Sequence, residues 1–112
     1  MKTGIELVAD ERKRQIEIEG YTAEHDAQHN ASELISAAID YARSAVAFAI
    51  FEENGGETSF ECVEHVIADI KKSFVWGRDA FKPKSCLEDL KRSAALMVAA
   101  IDRIQAENNH RV

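Results

Sequence analysis

Apolar residues recur at helical spacing in four stretches of the chain, and nowhere do they alternate as in a strand. In residues 3–19, steps of 100° put Ile5, Val8, Ala9 and Ile16 on one face. Arg12 and Glu19 fall within that stripe, and Leu7 and Ile18 lie nearly opposite. Thr3 with Glu6 makes a capping box, and Gly20 stands where a left-handed cap is wanted. A second helix over 30–51 opens on Asn30 with Glu33 and carries two adjoining stripes. One is Leu34, Ala38, Tyr41, Ala45 and Phe48; the other is Ile35, Ile39, Ala42, Val46 and Ala49. So wide an apolar arc in a small domain calls for burial on two sides, which a second copy of the chain supplies most simply.

A turn at Asn54-Gly55-Gly56 leads to a third capping box, Thr58 with Glu61. The helix it opens spaces Phe60, Val63, Ile67, Ile70 and Phe74 at 3,4,3,4. Ser85 with Glu88 starts the last helix, which carries Leu87, Leu90, Ala94, Met97, Ile101 and Ile104 and is expected to end near Ala106. Both spacings are those of a packed helix seam. Residues 21–29 form a polar connection, and 75–84 an aromatic loop in which Pro83 disfavours helix at Lys82. With no internal repeat, residues 1–112 read as one all-α domain. The expected architecture is a small antiparallel bundle of about four helices, completed by oligomerisation.

Composition narrows the functional classes. At 112 residues and 46% hydrophobic, the chain can build one modest core, which excludes wholesale disorder. A net charge of −6 weighs against gripping phosphate backbones, so nucleic acid is not an expected partner. The longest apolar run, 45–51, falls short of the ~20 residues of a membrane span, and no signal peptide opens the chain. Two cysteines, Cys62 and Cys86, are too few for a disulfide scaffold, and a reduced cytoplasmic protein is expected.

Several constellations invite chemistry and lack a component. His25 and His29 are spaced i, i+4, with Asp26 where zinc metalloproteases place a glutamate. No third ligand is marked by spacing, although His65, Glu61 and Glu33 are candidates to approach in space. The expectation is no bound metal or other cofactor; if one is held, His25, Asp26 and His29 hold it. The His25-Asp26 doublet lacks the further ligands of HD phosphohydrolases, and Glu61 with Glu64 lacks the ExxD partner of all-α nucleotide pyrophosphohydrolases. Cys62 and Cys86 stand near helix starts, where the dipole lowers a thiol pKa, but neither adjoins a histidine.

Polar residues that interrupt apolar economy are more informative. Arg12 breaks the first stripe, Gln15 borders it, and Tyr21, His25 and His29 follow; Trp76 and Lys82 stand in the aromatic loop. Arginine beside stacking aromatics suits a planar anionic ligand such as a nucleotide. The blander alternative has Trp76 and Phe81 plugging the bundle end while Arg12 pairs with Glu19. The ligand-binding set is therefore Arg12, Gln15, Tyr21, His25, His29, Trp76 and Lys82, with no catalytic residue.

The string ERKRQIEIEGYTAEHDAQHNASELISAAIDYA, residues 11–42, resembles small uncharacterised accessory proteins of bacteriophages and prophages. Trp76, Lys82-Pro83 and Ile101-Asp102-Arg103 extend the resemblance over nearly the whole chain. It implies a phage or prophage accessory protein acting in the host cytoplasm. Three roles follow as expectations: capture of a small anionic, nucleotide-like ligand for counter-defence, inhibition of a host defence protein through an acidic surface, or hydrolysis at a His25-Asp26-His29 metal.

Overall fold

The computed structural model describes residues 1–20, 28–56 and 60–110. Tyr21, His25, Asp26 and the Thr58 cap, all singled out above, lie outside those residues. Among the described residues there are four α-helices, one short 3-10 turn and no strand. Helix α1 spans Gly4–Glu17, α2 Ala31–Glu53, α3 Phe60–Ser73 and α4 Cys86–His110, with the turn at Arg78–Ala80.

The helix starts follow their caps. Thr3 Oγ1 accepts from Glu6 N at 3.3 Å, and Glu6 Oε1 accepts from Thr3 N at 3.0 Å, completing the box. Asn30 Oδ1 accepts from Glu33 N at 2.9 Å, but the Glu33 carboxylate turns to His29 Nδ1 at 2.7 Å. Ser85 Oγ likewise accepts from Glu88 N at 3.1 Å, while Glu88 Oε1 takes a hydrogen bond from Lys91 Nζ. Helix α4 runs past its expected end, supported by Arg103 Nη1 on Glu107 Oε1 at 2.8 Å, one turn on.

Helices α2 and α4 form the central pair, with α3 packed on α2 and α1 on α4. The pair is antiparallel: Ser44 meets Asp89, whereas Ala38, earlier in α2, meets Ser93, later in α4. This open arrangement gives a radius of gyration of 15.2 Å, above the roughly 13 Å of a compact chain of this length. Helix α2 is long and apolar enough by itself to cross a membrane, although no unbroken apolar run within it has that length. Here it is the core helix, burying Leu34, Ala37, Ala38, Tyr41, Ser44 and Ala45.

Two faces differ from expectation, for one reason. Helix α4 turns Asp89, Arg92, Ser93, Ala95, Leu96, Ala99 and Ala100 inward, and its Leu87, Leu90, Met97, Ile101 and Ile104 are exposed. Small residues on both central helices permit close approach, and the inward polar groups find partners there. Ser93 Oγ donates to Ala38 O at 2.7 Å, and Asp89 Oδ2 accepts from Ser44 Oγ at 2.8 Å. Helix α1 docks through buried Glu11 and Gln15, leaving Ile5 84% exposed and Ile16 at the surface. Leu34, Ala38, Tyr41 and Ala45 of the first α2 stripe, and Val63, Ile70 and Phe74 of α3, do face the core.

Candidate functional site

The end of α1 meets the aromatic loop and the early turns of α4. Tyr41 organises the loop from beneath: its ring lies 4.8 Å from Phe81 and 5.9 Å from Phe74, and its Oη accepts from Lys82 N at 3.1 Å. Phe81 is fully buried and plugs the bundle end, while Trp76 is half-buried, edge-on to Phe74. Gly77 takes φ +94, a left-handed conformation that suits glycine, and lets the chain turn back after Trp76. Arg92 Nη1 donates to Lys82 O at 2.6 Å, and its guanidinium lies 5.7 Å from the Tyr41 ring centre. The loop is thus fixed from two helices.

A cleft opens between these elements. Its closed end, about 10 Å³, is bounded by Arg14, Gln15, Tyr41, Trp76, Arg92 and Leu96. That is room for a single water-sized group. A wider, adjoining pocket of about 340 Å³ forms its mouth, sharing Glu19, Tyr41 and Arg92 with the closed end and adding Asp79 and Lys82. Gln15 is 2% exposed, and its Oε1 has no hydrogen-bond partner among the described residues; the same holds for Arg92 Nε. Arg14 is committed elsewhere. Its Nε donates to both Glu11 oxygens at 2.7 and 2.9 Å, and its Nη1 pairs with Glu19 at 2.8 Å. The hydrogen bond to Glu11 is the main cause that raises the Arg14 pKa above the ordinary arginine value.

Of the residues expected to bind, Gln15 and Trp76 share the closed end, Lys82 stands at the mouth, and His29 packs on Trp76 at 5.2 Å. Arg12 lies apart, beside an apolar groove of about 550 Å³ lined by Ile5, Val8, Ala9 and Val98. Glu19 pairs with Arg14 rather than with Arg12 as the blander alternative had it. Sequence reasoning missed Tyr41 and Arg92 as site residues. The available signal was Asp89, Arg92 and Ser93 set among the small residues of α4, a polar patch that only specific partners stabilise.

Of the His25-Asp26-His29 set, only His29 lies within the described residues. Among the described residues no three His, Cys, Asp or Glu side chains converge on a possible metal position. Burial pushes the Cys86 thiol up, with Glu52, Asp89 and Glu53 adding to it, so the expected lowering at a helix start is outweighed. Cys62 is an exposed free thiol. No protein-family model, curated protein or solved structure matches the chain.

Proposed function

We propose that the chain is a binding protein that takes a small nucleotide-like anion across the cleft between α1 and the Trp76 loop. The observation that carries this reading is the closed end, where Gln15 Oε1 and Arg92 Nε sit buried with unused hydrogen-bonding capacity. Lys82 and Arg92 offer positive charge, and Glu19 and Asp79 offer acceptors at the same mouth. A ligand that satisfies all four carries both an anionic group and hydrogen-bond donors, as the phosphate, ribose and base amino groups of a nucleotide do. The mouth reaches the lower end of ordinary small-molecule sites, and the closed end takes one oxygen or amino group and no ring. The ligand therefore lies across the opening, beside Tyr41, Lys82 and Arg92, with one polar group reaching the closed end that Trp76 lines.

The resemblance to phage and prophage accessory proteins supplies the setting, counter-defence in a host cell, in which a signalling nucleotide of the host would be the ligand. A thermal-shift screen against linear nucleotides, cyclic nucleotides and ADP-ribose tests this reading, with a raised melting temperature for at least one of them as the expected result. Protein binding is the second reading, favoured by the exposed Ile35, Ile39, Val46 and Ile50 on α2.

A further inference from the structure

Helix α4 contradicts ordinary amphipathic economy, because its most apolar stripe faces away from its own core. Leu87, Leu90, Met97, Ile101 and Ile104 are between 40% and 56% exposed, and Ala94 completes an uninterrupted 3,4,3,4,3 row without a charge. A row spaced at 3.5 residues per turn keeps facing a straight neighbouring helix along its length. Over residues 87–104 it extends roughly 26 Å at 1.5 Å per residue. Val98, one residue round the helix, carries the apolar surface into the groove whose other wall is Ile5, Val8 and Ala9 of α1, with Arg12 beside them. The surface is therefore a trough between two helices, shaped to receive a third.

We infer that the occupant is α4 of a second copy, laid antiparallel about a two-fold axis. The row reads the same in both directions. Reversal about a point between residues 95 and 96 sets Leu87 against Ile104, Leu90 against Ile101 and Ala94 against Met97. A two-fold contact requires that self-complementarity, since each residue must meet a partner that meets it in return. The central pair sets a small side chain against a long flexible one, which lets the two rows interdigitate at the axis. Five large apolar side chains of α4, each 40–56% exposed, and Ile5 of α1, 84% exposed, are available to be covered by one partner, as a stable interface of roughly 800 Å² a side requires. With α1 flanking each α4, the two copies complete a four-helix layer that neither forms alone.

Light scattering of the intact chain should give twice 12.5 kDa. Leu90→Glu and Ile101→Glu should each halve that mass while far-ultraviolet circular dichroism stays helical. Val46→Glu, on the outer stripe of α2, should leave the mass doubled. Direction and register are read by cross-linking in a Cys62→Ser, Cys86→Ser background. The Leu90→Cys, Ile101→Cys pair should oxidise to a covalent dimer, and Leu90→Cys alone should not, its two thiols being roughly 16 Å apart along the axis. A chain that stays at 12.5 kDa up to millimolar concentration overturns the inference. So does a mass halved by Val46→Glu and not by Leu90→Glu, or ready cross-linking through Leu90→Cys alone. Should the glutamate variants fail to fold, the cysteine pair decides: without a covalent dimer the inference fails.

Discussion

The Ser44 hydroxyl donates to Asp89 Oδ2 at 2.8 Å, joining α2 and α4 inside the protein. The other carboxylate oxygen accepts from Lys84 N at 2.8 Å, so the same acid holds the end of the aromatic loop. Asp89 has no solvent exposure, and this bridge positions the segment that carries Lys82 at the cleft mouth. The core thus sets the geometry of the candidate site through one buried side chain.

Asp89→Ala leaves the Lys84 amide and the Ser44 hydroxyl without that acceptor and is expected to cost about 2–4 kcal/mol of stability. Asp89→Asn keeps an acceptor for Lys84 and gains a donor toward Ser44, so its cost should be smaller. Urea denaturation of the two variants beside the parent chain checks the order. Equal costs would show that the amide recovers none of what the carboxylate holds, and an unaffected Asp89→Ala would remove the bridge from the account.

Burial raises the Asp89 pKa from its ordinary value of 3.8, against the hydrogen bonds from Lys84 and Ser44 that lower it. The folded state therefore binds this proton more tightly than the unfolded state. Its contribution is present at pH values below 3.8 and is lost as pH rises through the raised folded value. Asp89→Asn should remove that downward slope, so the stability difference between parent and variant changes across the window. A difference that stays constant as pH rises from below 3.8 through the neutral range would contradict the assignment.

Glu11 is 4% exposed, and Arg14 is the cation bonded to both of its oxygens. Arg14→Ala is expected to destabilise by about 2–4 kcal/mol, because it strands a charge at the α1–α4 contact. Replacing both residues by leucine should recover much of that loss, since paired apolar groups carry no desolvation cost. Chemical denaturation of the single and double variants measures the coupling directly. Additive losses would show that the pair does not act as a unit.

The helices were legible because their signals are local. Thr3, Asn30 and Ser85 each announce a start that the backbone obeys, and Gly20 takes its expected left-handed turn at φ +76. The inward faces of α1 and α4 were not legible. Hydrophobic periodicity marks the face that avoids water and does not say whether the neighbour belongs to the same chain. On α4 the alanines and the Asp89-Arg92-Ser93 patch face the core, while the leucine and isoleucine row is left outside. The cleft was legible in part: Gln15, Trp76 and Lys82 border it, but Arg12 turns to the other side of α1 and Arg92 supplies the guanidinium. An arginine's position on a helical wheel fixes its direction only once the helix's docking face is known.

The ligand reading orders four variants. Gln15→Leu keeps the shape of the closed end and removes its acceptor, at an expected loss of about 1–1.5 kcal/mol, roughly tenfold in affinity. Lys82→Ala removes an exposed point charge and should cost less, with a shallower salt dependence. Trp76→Ala removes a wall of the closed end, where no ring fits, and should weaken binding less than Gln15→Leu does. Arg12→Ala, outside the cleft, should leave affinity unchanged. Competition binding with whichever nucleotide stabilises the protein checks all four, and a dominant effect of Arg12→Ala would move the site to the apolar groove.

Isothermal titration calorimetry with ADP-ribose and with linear and cyclic nucleotides, on the parent chain and on Gln15→Leu, tests the central claim most directly. Capture of a nucleotide-like anion across the cleft predicts saturable heat at one ligand per chain for at least one compound, weakened about tenfold in Gln15→Leu. No heat from any of them, or equal affinity in the parent and Gln15→Leu, would contradict it.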